Sequence, residues 1–120
     1  MSTINKEIIA AFNQLVENFE YDKAFDRFYH NTFVKHENEN APIVGLTPNR
    51  KAMQGFLAAI SNQRATLLNL VISDDMSVAE WRYQFDHKDW GKKDFRQLSV
   101  QRWREGKIIH ERHHYKTENW

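Results

Sequence analysis

Residues 110–114 read HERHH, two histidines four apart with a glutamate beside the first. On a helix that spacing is a zinc-hydrolase arrangement, in which both imidazoles hold one metal and the glutamate acts as general base on a bound water. On a strand the same letters mean something else. Side chains then alternate at about 3.3 Å per residue, so His110, Arg112 and His114 share one face while Glu111 and His113 take the other. The glutamate would point away from both histidines, and only Glu118 downstream could add a carboxylate. HERHH follows a glycine turn that itself follows a strand-like run, so we read it as the returning arm of a hairpin. No metal and no cofactor is expected.

Other chemistries are bounded by composition. The 120 residues include no cysteine, which excludes disulfides, thiolate metal sites and thiol nucleophiles. Lys plus Arg number 17 against 16 Asp plus Glu, leaving no basic field of the kind that gathers nucleic acid or anionic membrane. With 41% hydrophobic and 13% aromatic residues, the chain suits a single domain, 1–120, around one core. Lys6, Glu7 and Glu17 interrupt the first apolar pattern, unlike a signal peptide or membrane span, so a cytoplasmic setting is the expectation.

The elements that must position any site can be read from periodicity. Ile4, Ile8, Phe12, Leu15, Val16 and Phe19 recur at helical spacing and predict a first helix. Asp22 can cap a short second helix that carries Phe25, Phe28 and Tyr29 and ends near His30 or Asn31. Thr32 to His36 favour a strand, followed by a long loop rich in Asn, Pro and Gly. Thr47 as N-cap with Pro48 at the first helical position opens a third helix through Ala52, Met53, Phe56, Leu57 and Ile60. From Arg64 the period changes from about 3.6 to 2, giving strands at ATLLNLVIS, SVAEWRYQF, FRQLSVQRW and KIIHERHHYK. Asp74-Asp75 and Arg104-Glu105-Gly106 are the turns, and Lys92-Lys93 among Asp86, Asp89 and Asp94 reads as a solvated hairpin.

Helix, short helix, strand, loop, a helix opening at Thr-Pro, then long antiparallel strands: this order resembles the nuclear-transport-factor-2-like superfamily. FYHNTFVKHENENAPIVGLTPNRKAMQGF is similar to the first strand, loop and third helix of its SnoaL-like domains, and WREGKIIHER to their aromatic-x-x-Gly-Lys-Ile hairpin. The resemblance covers nearly the whole chain. It implies an α+β, cone-shaped half-barrel of the cystatin-like kind, with N-terminal helices packed on a curved, mainly antiparallel sheet and a pocket inside. Ketosteroid isomerases, polyketide cyclases and dehydratases share that fold. The resemblance places His36 where the isomerases carry a proton-shuttling aspartate, Ser99 near their oxyanion-donating aspartic acid, and Phe12 near their first-helix tyrosine. It also puts His110 and Arg112 on the last strand, where cyclases present an acid or base.

Alternation alone points to a compatible site. Trp81, Tyr83, Phe85 and Trp103 form an apolar wall, on which Ser99, Gln101, His110, Arg112 and His114 converge. We expect a small hydrophobic or aromatic carbonyl compound there. His36 would act as base, with Arg112, Ser99 or His110 stabilising an oxyanion, which describes isomerisation, cyclisation or dehydration. Each residue has a plainer reading: the aromatics as core packing, His36, His110 and His114 as hydrogen-bonded structural groups, and His30, His87 and His113 as surface residues. The alternative function is a non-catalytic ligand-binding or dimerisation module. On the outer sheet face, Leu70, Ile72, Val78, Leu98, Val100, Ile109 and Tyr115 alternate with Glu80, Arg82, Arg96, Arg102 and Glu111, and predict a homodimer surface.

Overall fold

A computed structural model describes residues 4–117. Helix α1, Lys6–Glu17, starts where the Asn5 side chain accepts the Glu7 amide at 2.7 Å and satisfies one orphan donor of the first turn. Its apolar stripe buries Ile9, Phe12, Leu15 and Val16. Helix α2, Tyr21–Phe28, follows with Glu20 rather than Asp22 at its cap position, and it ends before His30 because Tyr29 is already extended. Strand β1 is Tyr29–Glu37, β2 the two-residue Ile43–Val44, and α3 Leu46–Ala58.

The third helix begins earlier than Thr47-Pro48 suggests. Gly45 takes φ 100°, a conformation open to glycine, and stands at the cap. Pro48 still falls in the first turn, where its missing N–H costs no helical bond. The junction is locked by buried Asn49, whose amide donates to the carbonyls of Ile43 at 3.0 Å and Gly45 at 2.8 Å. The helix also ends sooner, since Ile60 opens strand β3, Ile60–Ser73, ahead of the expected Arg64 boundary. Strands β4, Met76–His87, β5, Gly91–Arg104, and β6, Lys107–Tyr115, complete the chain.

The six strands form one sheet in the order β2-β1-β6-β5-β4-β3. Every neighbouring pair is antiparallel except β1 and β6, which run parallel. The three helices cover the concave face of this α+β cone. Phe12 of α1 meets Phe28, Tyr29 and Trp103 edge to face, with ring centroids 5.8, 5.7 and 5.5 Å away, and this cluster seals one end. The β5–β6 turn at Glu105-Gly106 has positive φ at both residues, 52° and 76°, the primed hairpin geometry that matches strand twist. Among the described residues, no helix is long and apolar enough to cross a membrane.

One irregularity decides the site. Arg102 pairs with His110 and Trp103 with Ile108, so Ile109 has no partner opposite it and forms a bulge in β6. Trp103 and Ile108 both face the core. Beyond the extra residue the alternation inverts, and Glu111, His113 and Tyr115 face the cone interior while His110, Arg112 and His114 face outward.

Candidate functional site

The cone encloses a cavity of about 250 Å³. Its floor and helix side are aromatic and aliphatic: Phe19, Tyr21 and Phe25 before β1, then Met53 and Phe56 on α3. Trp81, Tyr83 and Phe85 come from alternate positions of β4, and Phe95 from β5. Against this wall lies a strip of polar groups at one edge of the interior, carried by β5, β6 and β1. Cross-strand register arranges the strip in rows. Lys35 lies beside Glu111, which faces Gln101 and then Ser77. In the next row Glu37 lies beside His113, which faces Ser99, and beyond that Tyr115 faces Gln97.

Glu111, 4% exposed, is the hub. One carboxylate oxygen accepts from the Gln101 amide at 2.6 Å, the other from the Tyr29 hydroxyl at 3.1 Å, and His113 Nε2 lies 3.3 Å from that second oxygen. Burial pushes the carboxyl pKa up, but the neighbouring His113, the Gln101 donor and the Lys35 charge together outweigh it and hold the group below the ordinary carboxylate range. Glu111 is therefore an ionised carboxylate inside an apolar cone. Behind it the chain continues, with the Trp103 indole donating to Ser77 Oγ at 2.9 Å and Ser77 donating to Gln101 Oε1 at 2.9 Å. That fixes which end of the Gln101 amide faces the carboxylate. Burial raises the hydroxyl pKa values of Tyr21, Tyr29 and Tyr83, keeping all three as neutral donors.

His113 presents its other nitrogen, Nδ1, to Ser99 Oγ at 2.9 Å and to Gln97 Nε2 at 3.0 Å. A neutral imidazole has one lone pair, so it accepts one of these donors at a time. Gln97 Nε2 also lies 3.1 Å from Ser99 Oγ. The consistent assignment is a single directed chain: Gln97 donates to Ser99, Ser99 to His113 Nδ1, and His113 Nε2–H to Glu111. In the neutral tautomer this leaves the imidazole lone pair on Nδ1, the nitrogen nearest the Ser99 hydroxyl. At the cavity's outer rim, the Tyr115 hydroxyl donates to Glu37 at 3.1 Å.

Several residues expected in the pocket are elsewhere. His36 faces outward because β1 alternates around inward Phe33, Lys35 and Glu37. Its Nδ1 lies 3.0 Å from His110 Nε2 on the outer face. Burial, then the nearby His36, Arg112 and Arg102, lower the His110 pKa. Arg112 Nη1 donates to the Asn38 carbonyl at 2.8 Å, tying β6 to the turn after β1, and His114 is exposed opposite Leu98. Trp103 is 2% exposed but buried against Phe12 and Phe28 outside the cavity lining. Trp81, Tyr83, Phe85, Ser99 and Gln101 do line it.

Conversely, Glu111 and Tyr115 leave the outer face for the cavity, and His113 is not a surface residue. Ile72 packs against the core, and Leu70 shares the inner-face register of Ala79. His87 is buried, stacked on Trp90 at 3.8 Å with Nδ1 accepting the Asp89 amide. The HERHH segment is strand throughout, with Glu111 on the opposite face from His110 and His114; Glu118 lies outside the described residues. Of the residues missed, Lys35, Glu37, Glu111 and His113, the two on β1 had one signal available. Phe33-x-Lys35-x-Glu37 alternates from an aromatic that must face the core, which sets the parity of β1.

A profile of the SnoaL-like domain matches residues 8–111. The chain belongs to the SnoaL-like domain family. Solved structures agree on the fold at low sequence identity. A candidate SnoaL-like polyketide cyclase from Mesorhizobium loti is 16% identical with a TM-score of 0.79, the match covering 91% of this chain and 97% of that one. A Catenulispora acidiphila protein of ketosteroid isomerase-like fold, solved with trimethylamine, is 15% identical with a TM-score of 0.79 over 97% and 90% of the chains. An LEH-like epoxide hydrolase of M. tuberculosis is 12% identical with a TM-score of 0.75 over 92% and 80%. No curated protein matches the sequence significantly. The SnoaL-like fold is thus shared by proteins named for different activities, and the reaction has to be argued from this cavity.

Proposed function

We propose that this SnoaL-like protein binds a small, largely apolar carbonyl compound in its cone and moves a proton on it, as an isomerase, cyclase or dehydratase without a cofactor would. The observation that carries the reading is the His113–Glu111 pair on the wall of an apolar cavity, its Nε2 3.3 Å from an ionised carboxylate and its Nδ1 turned to the polar strip. A carboxylate behind an imidazole fixes its tautomer and stabilises the imidazolium formed when it takes a proton. A carbonyl ligand that brings an acidic C–H to Nδ1 displaces the Ser99 hydroxyl. Ser99 and Gln97 are then free to donate to the developing enolate oxygen. His113 thereby takes the role first assigned to His36.

The test is exchange of the α-hydrogens of a small aryl ketone in D2O, followed by NMR. Wild-type protein should catalyse exchange, and His113→Asn should slow it at least about a hundredfold while still binding the ketone. Unchanged exchange in the variant would overturn the reading, and binding with no exchange in the wild type would leave a ligand-binding module.

We also propose that two copies pair through the outer sheet face. Val71 and Leu98 are exposed there at 61% and 43%, beside the bidentate Arg82–Asp94 pair, and opposite signs allow self-complementary contacts about a twofold. A monomer in sedimentation at working concentration would rule this out. The setting proposed for the protein is the cytoplasm.

A further inference from the structure

We propose that Ser99, His113 and Glu111 act as a nucleophilic triad, so that the cone also hydrolyses small aryl or apolar esters through an acyl-serine. The inference rests on the same His113–Glu111 pair as the proton-transfer reading, and adds a nucleophile to it. A triad is recognised by geometry and roles, not by chain order or fold. Here the roles are filled. Ser99 Oγ is 2.9 Å from His113 Nδ1, His113 Nε2 is 3.3 Å from Glu111 Oε1, and Glu111 is itself held by Gln101 and Tyr29.

The rest of the environment meets the needs of acyl transfer. Ser99 is 2% exposed yet lines the cavity, so its hydroxyl is reached only from the space a ligand would fill. The directed chain Gln97 to Ser99 to His113 orients the hydroxyl proton toward the base and leaves an Oγ lone pair for attack. Gln97 Nε2, 3.1 Å from Ser99 Oγ, has a second N–H to offer an oxyanion forming at the attacked carbonyl. The aromatic wall, Trp81, Tyr83 and Phe95, and a volume of about 250 Å³ select a compact acyl or aryl group.

The steps balance without an added oxidant or metal. Ser99 Oγ bonds to the ester carbonyl carbon as its proton passes to His113 Nδ1. The bond to the leaving oxygen then breaks, and that oxygen takes the proton from His113. Water attacks the acyl-serine, again giving its proton to His113, and the carboxylic acid leaves with the Ser99 hydroxyl restored. Glu111 stays ionised throughout and stabilises the imidazolium.

Incubating the whole protein with para-nitrophenyl acetate, and separately with a fluorophosphonate probe, tests this by peptide mass spectrometry. Wild-type protein should carry one acetyl or phosphonyl group on Ser99, with release of nitrophenol in a burst equal to the protein present. His113→Asn should slow labelling at least about a hundredfold. Absence of any adduct on Ser99, labelling confined to lysines or tyrosines, or labelling undiminished in His113→Asn would each overturn the proposal. The wild-type result needs no variant to fold. Ketone exchange on the same preparation separates the two readings: exchange without an adduct defeats the triad alone, and an adduct without exchange defeats proton transfer alone.

Discussion

Strand β6 carries two histidines three positions apart that occupy opposite environments. His113 faces the cavity, between an ionised carboxylate and a hydroxyl. His110 faces outward against His36, with Arg112 and Arg102 adding positive charge nearby. The inner imidazole has a carboxylate oxygen 3.3 Å from its Nε2. The outer one is held neutral, its pKa lowered by burial and by those cationic neighbours. One residue type on one strand thus becomes the proposed base on one face and a neutral stitch between β1 and β6 on the other. What separates them is the charge of the partner, and the partner is chosen by which face of the sheet the side chain takes.

The strongest way to break the comparison is to remove the bulge. Inserting one residue between Arg102 and Trp103, so that Ile109 gains a partner while the Trp103–Ile108 pairing is kept, would drive Arg112 inward and expel Glu111 from its donors. We expect loss of more than about 4 kcal/mol, enough to unfold a marginal domain. Loss of the cooperative thermal transition by circular dichroism would report it; a native-like melt would show that the strand slips to restore its parity.

Removing the inner charge comes next. Glu111→Ala leaves buried Tyr29, Gln101 and Lys35 without their common partner and should cost about 3–5 kcal/mol in urea unfolding. Glu111→Gln sharpens the same point through pH. Because the folded carboxyl titrates below its ordinary range, the unfolded chain binds the extra proton first. Its stabilisation is then full above the ordinary carboxylate pKa and is lost as pH falls through the lower folded value. The Gln variant should be less stable near neutrality and should lose less on acidification, as read from unfolding midpoints across pH.

The smallest effect belongs to the outer pair. His110→Gln should change ligand binding and catalysis little, and stability at pH 8 by no more than about 0.5 kcal/mol. Its mark lies lower. A histidine whose folded pKa is depressed contributes stability above the ordinary histidine value of 6.5 that is lost as pH falls toward the folded pKa. The variant should flatten that part of the stability curve. A catalytic defect as large as that of His113→Asn would erase the distinction between the faces.

Much of this was legible in the chain itself. The first two helices, the alternating strands, and the inward set Trp81, Tyr83, Phe85, Ser99 and Gln101 follow from local period, because residues two apart on a regular strand must share a face. The strand character of HERHH was legible for the same reason. The SnoaL-like family was legible too, in the order of elements and the Trp103 to Ile108 hairpin motif.

The parity of β6 was not. Ile108 and Ile109 are both β-branched and apolar, and nothing local says which of them will lack a partner. That is decided when Trp103 packs against Phe12 and draws Ile108 inward beside it, while Arg102 pairs with His110. A bulge is a property of two paired strands, so one strand's pattern cannot report it. For β1 the pattern sets the parity, but only its parallel pairing with β6 sets Lys35 beside Glu111 and His36 beside Arg112. By itself the sequence determined the elements and the chemistry available to them. Tertiary pairing decided which histidine met a carboxylate, because a single unpaired residue turns every later side chain on its strand to the other face.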